Sequence, residues 1–486
     1  MELTEEQRHI VDCDKNIILV NAYAGTGKTS TLVQFCKARK NARFLYLAYN
    51  ASMAKEAKSK FKGNNNVTCA TIHSLAFRYL GKKLEKYKKR LGKESLNSVH
   101  LCKYFEKTDR PHYYANLLFS IFKKFLNSEN SLEAMISKIS SEYFGIASFL
   151  PILWHDILEN EELPFEHDYY LKMFQLSQPE FTEFDYILVD EAQDLNPAMF
   201  DIILNQKCKK VFIGDTYQKI YGFRDCINAL EILCELKNSA IFYLTKTFRC
   251  PQYIVEVANP YLYLLGAQKP LEGNFIPFSK GLLENEKKEC IICRTNARVF
   301  DYVIENQNFK FHFIGGLDSY NFNDILDIAL LHSKNKENRK YIKNKFYNNF
   351  ADPKELKEHI KESGDVEAKT RLIIFYKYVK TINLFEAINA IKHYPISEAD
   401  YIITSAHKSK GLEWDFVRID DDFFNIKEAF SQAKEKGILP LSVSREELNL
   451  LYVALTRAKK HMEVSEDYIL TSNEIIDIKQ SIVMVD

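Results

Sequence analysis

Residues 16–31 read NIILVNAYAGTGKTST, and this stretch decides the fold class. Residues 17–20 are an uninterrupted apolar run, as in a parallel strand whose sheet is covered on both faces, and a helix opens at Gly27-Lys28-Thr29. Glycines let successive backbone N–H groups curl around an anion where a Cβ would collide. The loop of Ala24, Gly25, Thr26, Gly27, Lys28, Thr29 and Ser30 is therefore read as a phosphate cradle. Lys28 is placed to reach the β- and γ-phosphates of a nucleoside triphosphate, and the Thr29 hydroxyl to sit on Mg²⁺. Ala22 stands where the strict pattern has its first glycine.

Outward from that loop, strands alternate with helices at a pitch that predicts a doubly wound parallel sheet, α/β in class. Further apolar runs lie at 44–49 and 67–70, and the loops after them carry Tyr49-Asn50 and Thr71-Ile72-His73 at the carboxyl edge where such sheets place function. Phe77 and Tyr79 are read as core. Upstream, Thr4 is a candidate N-cap with Gln7 at N3, where Gln7 either completes a capping box or reads the edge of adenine. Residues 81–172 turn to amphipathic helical spacing and are read as an insertion. The sheet pattern returns at FDYILVDEAQDLNP, where Asp190 and Glu191 end a buried strand. Two adjacent carboxylates there need a cation, and Mg·ATP supplies one: Asp190 for the metal, Glu191 for the attacking water.

The next strand ends at Gly214-Asp215 and leads to Gln218, Tyr221, Phe223 and Arg224. Gln218 is read as sensing the γ-phosphate and the aromatics as stacking on bases. In LTKTFRCP, Phe248-Arg249 follow a strand, where an arginine neutralises charge on the transferring phosphoryl group. A second sheet begins near residue 289, a lysine-rich helical stretch fills 320–398, and strands resume at 400. His407, Lys410, Gly411 and Glu413 share one loop, and Thr456-Arg457 is placed late on a helix over 448–460.

The 486 residues predict three or four compact units, and 46% apolar with 27% charged residues is globular composition. With 66 basic against 65 acidic residues, nucleic-acid affinity has to come from a local groove. No run is long enough to span a membrane and the N-terminus is unlike a signal peptide, so no membrane partner and a cytoplasmic location, nucleoid-associated in a prokaryote, are expected. The ten cysteines, Cys290 and Cys293 included, are read as structural thiols.

The order of GTGKT, TIHS, VDEAQD, GDTYQKIYGFR, TFR, HKSKGLEW and YVALTRA resembles the UvrD/Rep-like superfamily 1A DNA helicases. YNASMAKEA, TIHSLAF and HKSKGLEW are most similar to the F-box DNA helicase branch, though no stretch resembles an F-box. The resemblance implies two RecA-like parallel-sheet P-loop NTPase domains, each with a mainly helical insertion. Domain 1 takes 1–80 and 173–265 around an insertion at 81–172. Domain 2 takes 266–319 and 399–486 around a short insertion at 320–398. It implies an ATP- and Mg²⁺-dependent 3′→5′ translocase and helicase acting on single-stranded DNA and single-strand/duplex junctions.

Position by position, the resemblance implies that Gln7 reads adenine, Phe248 packs on it and Glu413 holds the ribose. Arg249 and Arg457 are implied as arginine fingers, and Gln218 and Arg224 as couplers to the DNA. Tyr49, His73, Tyr221, Phe223 and His407 are implied along the single strand, with Asn50 and Thr71 beside them. The short second insertion also raises an alternative: an ATP-gated regulatory subunit working with a nuclease or repair factor.

Overall fold

In the computed structural model of the chain, the described residues are 2–222, 226–235, 239–274, 288–363 and 366–485. Strands β1 (Ile17–Ala22), β2 (Phe44–Leu47), β3 (Val67–Ala70), β4 (Tyr186–Val189), β5 (Lys209–Gly214) and β6 (Ser239–Leu244) form one sheet in the order β3-β2-β4-β5-β1-β6. All its pairings are parallel. The apolar run of β1 is continuous because both sheet faces are covered. Ile18 and Val20 join a cluster with Leu32 and Phe35 of the helix Lys28–Lys37, while Leu19 joins one with Phe122 and Trp154 of the first insertion.

Between β3 and β4 the chain is helical, with Ile72–Leu80, Pro111–Asn127, Leu150–Glu159 and His167–Leu176 as its main elements. The helix Pro111–Asn127 buries Leu118, Phe122 and Phe125, the i, i+4, i+7 stripe its sequence offers. Phe77 and Tyr79 correct the expectation of core packing. The buried stripe of their helix is Ile72, Ala76 and Leu80, so both rings fall off it, are exposed, and lie edge-on against Tyr170 and Phe174.

Strands β7 (Lys246–Pro251) and β8 (Glu272–Asn274) pair with each other and lead to the second domain. There β9 (Cys290–Cys293), β10 (Phe311–Phe313), β11 (Tyr401–Ser405), β12 (Trp414–Ile419), β13 (Leu441–Ser444), β14 (Ala458–Glu463) and β15 (Ile482–Val485) follow in sequence. Five of them make a second parallel sheet, β10-β11-β9-β12-β14, and β13 pairs with β15 alone. Two parallel sheets are the α/β architecture the alternation predicted. Cys290 and Cys293 are fully buried in β9, and burial pushes both thiols well above their ordinary range.

The helix Gln252–Leu264 buries Ile254, Val255 and Tyr261 in a cluster that draws Tyr23, Ala24, Tyr217 and Ile220 from beside the first sheet and Leu448, Leu451 and Tyr452 from beside the second. An apolar stripe announces that a face is buried but not against which partner. The late helix spans Arg445–Leu455, not 448–460; residues 458–463 are β14, whose Ala458 pairs with Trp414 of β12. An open parallel edge on β12 overrides the helical spacing of TRAKK there.

The second insertion is helical, with Asn323–Leu331, Pro353–Ser363, Val366–Tyr378 and Leu384–Ala390. It shares one core with Phe311, Phe313 and Ile403 of the second sheet. Among the described residues no helix is long and apolar enough to cross a membrane.

Candidate active site

The carboxyl ends of β1, β4 and β5 meet β7 and the loop after β11 around a cavity of about 580 Å³. Gly25, Thr26, Gly27, Lys28, Thr29 and Ser30 line one side of it, with Gly411, Leu412, Glu413 and Arg457 from the second domain across the cleft. Gly25 and Gly27 have φ of +72° and +84°, the left-handed region that glycine enters without strain. Gly25 is also crowded, since a Cβ there would lie 2.5 Å from both Arg249 Cβ and Thr247 Oγ1. Gly25→Ala is expected to cost more than about 2 kcal/mol of stability and to abolish tight nucleotide binding, checked by denaturant melts and a nucleotide titration.

The contacts of Gln7 bear out its capping reading. Its backbone N–H and side-chain oxygen complete the capping box with Thr4, at 3.2 and 3.1 Å. Its Nε2 lies within 3.1 Å of where a Gly27 Cβ would be, and the Phe248 ring within 3.6 Å of the same point. The cap thus uses the amide oxygen and leaves the amide nitrogen at the mouth of the loop, next to a half-exposed phenyl ring.

Lys28 Nζ donates to Glu191 Oε2 at 3.3 Å. Burial opposes the Lys28 charge, but Glu191, Asp190 and Asp215 outweigh it and hold the ammonium above its ordinary range. Burial opposes the Glu191 charge too, yet Lys28 and Lys410 keep that carboxyl well below the usual range. Asp190 goes the other way: burial and the neighbouring Glu191 push it up, against Lys28 and the Tyr46 hydroxyl that donates to it.

A buried carboxyl pushed up by a second carboxylate is a group that a divalent cation would hold ionised. Thr29 lines the cavity beside it, so a hydroxyl and a carboxylate, both hard donors, fit a Mg²⁺ that takes its other positions from water and phosphate. No group of three or more His, Cys, Asp or Glu among the described residues makes a closed cage for a metal.

Glu191 itself has φ +53°, left-handed backbone in a residue with a side chain. Gln193, fully buried, donates from Nε2 to Glu191 Oε2 at 2.7 Å and accepts the Asp215 N–H on Oε1 at 3.0 Å. Asp215 Oδ2 accepts from Gln218 Nε2 at 2.7 Å and from the Tyr452 hydroxyl at 3.2 Å, and that hydroxyl accepts the Ala24 N–H at 3.2 Å. Burial pushes Asp215 up to about 6.

The arginines close the cleft. Arg249 donates from Nε to Glu413 at 2.8 Å and from Nη1 to the Thr456 carbonyl at 3.2 Å, bridging the domains. Arg457 is 1% exposed, far from the surface residue its TRAKK setting suggests. It donates to the carbonyls of Val453 (2.8 Å) and Leu412 (3.2 Å), and from Nη2 to Gln218 Oε1 at 3.4 Å. Burial and the neighbouring Arg249 lower its affinity for its proton. Lys410 pairs with buried Asp194 and donates to the Gln218 carbonyl at 2.6 Å.

Of the residues expected along a nucleic acid, the structure brings together Tyr49, Tyr221 and His407. The two tyrosines stack with centroids 5.7 Å apart and planes 8° from parallel, Lys410 Nζ lies 4.9 Å from the Tyr221 ring, and His407 Nε2 meets the Ile220 carbonyl at 3.0 Å. His407 lies on the short helix Ala406–Ser409 rather than on the loop with Lys410. Asn50 and Thr71 are N-caps, accepting from Met53 and Ser74, and His73 pairs with Asp168 of the first insertion at 3.1 Å. Phe223 and Arg224 lie outside the described residues. Sequence reading missed Gln193, Asp194 and Tyr452. The signal for the first two was position: they lie two and three residues after Glu191 in VDEAQD.

A family model described as the UvrD/REP helicase N-terminal domain matches residues 3–238, and one described as the UvrD-like helicase C-terminal domain matches 346–467. The chain is 30% identical to F-box DNA helicase 1 of Gallus gallus, over 96% of its own length and 49% of that protein's. It is 29% identical to F-box DNA helicase protein 1 of Schizosaccharomyces pombe, over 96% and 57%. To the ATP-dependent DNA helicase PcrA of Staphylococcus aureus it is 24% identical, over 67% and 52%. The chain thus spans about half the length of these curated relatives.

Proposed function

The chain belongs to the UvrD/REP helicase family, and from that premise we propose that it is an ATP-driven single-stranded-DNA translocase and helicase, of 3′→5′ polarity. One observation carries the reading: Lys28 and Glu191 on the first domain face Arg457 of the second across a single cavity. Lys28 binds the β- and γ-phosphates, Glu191 takes the proton of the attacking water, and Arg249 and Arg457 balance charge on the transferring phosphoryl group. Thr29 and Asp190 would hold Mg²⁺, which neutralises phosphate charge when bound. Gln7 and Phe248 take the adenine and Glu413 the ribose.

Because catalysis needs groups from both domains, each turnover closes and reopens the cleft. The pair Tyr221 and His407, one from each domain, lies on the strand path with Tyr49, so closure moves bases past aromatic platforms worth ~1–3 kcal/mol each. Asn50, Thr71 and His73 mark the edge of that path on the first domain.

The test is strand displacement on 3′-tailed, 5′-tailed and blunt substrates, DNA and RNA. The expected result is ATP-dependent unwinding of 3′-tailed DNA, single-strand-stimulated ATPase, and binding that weakens steeply with salt. ATPase indifferent to DNA overturns the proposal. Single-strand-stimulated ATPase without unwinding favours the second reading, a regulatory ATPase acting with a nuclease or repair factor. The small second insertion, whose α-helices among the described residues lie between Asn323 and Ala390, is the observation behind that reading.

A further inference from the structure

We infer that Gln193 is a positioning residue for Glu191, fixing which carboxylate oxygen faces the attacking water and tying that orientation to the Asp215 strand end. The inference rests on the reading of Glu191 as the proton acceptor for ATP hydrolysis.

The argument starts from what a side-chain amide can do. Gln193 is fully buried between two groups of opposite demand: the Asp215 backbone N–H, which needs an acceptor, and the Glu191 carboxylate, which needs a donor. A primary amide satisfies both in one orientation only, oxygen to the N–H and nitrogen to the carboxylate. A carboxylate at 193 would oppose Glu191, and an apolar side chain would leave the Asp215 N–H without its acceptor and Glu191 with Lys28 alone.

The contact is also selective within the carboxylate. Gln193 Nε2 and Lys28 Nζ both donate to Glu191 Oε2, at 2.7 and 3.3 Å. With that oxygen engaged twice, Oε1 is the one available to take a proton. The backbone is built around the same amide. Glu191 is held at φ +53°, and Gly214 has no side chain where a Cβ would lie 2.2 Å from Gln193 Oε1.

The far side of the amide leads out of the first domain. Asp215, whose N–H Gln193 accepts, receives the Tyr452 hydroxyl of the second domain on its own carboxylate. The orientation of Glu191 is thereby connected, by hydrogen bonds at each step, to the helix that precedes Arg457. Gln193 touches no reacting atom and acts through Glu191.

The experiment is the kcat and KM for ATP of single-strand-stimulated ATPase for the wild type, Gln193→Met, Gln193→Glu and Gly214→Ala. Gln193→Met keeps volume without the amide and is expected to lower kcat about tenfold or more, with KM for ATP within about threefold of wild type. Gln193→Glu keeps an acceptor for the Asp215 N–H but places a second carboxylate beside Glu191, and is expected to lower kcat at least as far as Gln193→Met. Gly214→Ala displaces the amide from the other side and should reproduce the Met phenotype. Wild-type kcat in Gln193→Met overturns the inference, as does a rise in KM with kcat unchanged. Should Gln193→Glu fail to fold, the kcat and KM of Gln193→Met decide the matter. A wild-type chain without ATPase overturns the functional reading and this inference with it, whereas active wild type with indifferent variants overturns this inference alone.

Discussion

Lys28→Ala lowers DNA-stimulated ATP turnover by about 10²-fold or more and abolishes strand displacement, because the γ-phosphate loses the cation that reaches it from the loop. The substitution also reaches the protein without nucleotide. Lys28 is the nearest cation to Glu191, and the two side chains are 15% and 12% exposed. Removing one partner of a buried pair costs about 3 kcal/mol at the low end, and the residual water contact here argues for that end.

The pH dependence follows from the direction of the Glu191 shift. Its folded carboxyl is held below the ordinary 4.5, so its contribution to stability is present above that value and is lost as pH falls through the folded value. The stability gap between wild type and Lys28→Ala should therefore be full above about pH 4.5 and close below it. Denaturant melts from about pH 2 to about pH 8 check this, since the folded carboxyl lies at about 2. A gap that widens on acidification, or an ATPase that survives, contradicts the assignment of Lys28.

Arg457→Ala is expected to lower kcat by about 10³–10⁵-fold, the range an arginine finger supplies to phosphoryl transfer, with nucleotide affinity changed far less. Its guanidinium simultaneously meets Val453, Leu412 and Gln218, so Arg457→Lys should not rescue turnover: one ammonium cannot span three acceptors fixed for a planar fork. Truncation also takes a donor from the Leu412 and Val453 carbonyls, of which Val453 keeps the Thr456 hydroxyl. Single-turnover ATPase, a fluorescent-nucleotide titration and thermal melts separate these effects. A kcat within about threefold of wild type, in a variant that melts normally, rules out a catalytic arginine at 457.

Much of this was legible in the chain. The run at 17–20, the glycines at 25 and 27 and the carboxylates at 190 and 191 are local patterns: apolar residues that need two covered faces, and turns that need a missing Cβ. They yield two parallel sheets and a phosphate loop without reference to anything distant. The misreadings were of partners. Phe77 and Tyr79 are apolar but lie off the stripe their helix buries, and residues 458–463 left the helix for an open strand edge.

The sequence by itself determined the elements, the phosphate loop and the residue types able to bind and hydrolyse a triphosphate, since these depend on neighbours a few positions apart. The tertiary structure alone decided that Arg457 is buried against Gln218, 239 residues away, that Lys410 pairs with Asp194, and that Gln193 stands between Glu191 and Asp215. The physical reason is that a buried charge or amide is fixed by whichever groups complete its hydrogen bonds, and those come from other strands and from the other domain.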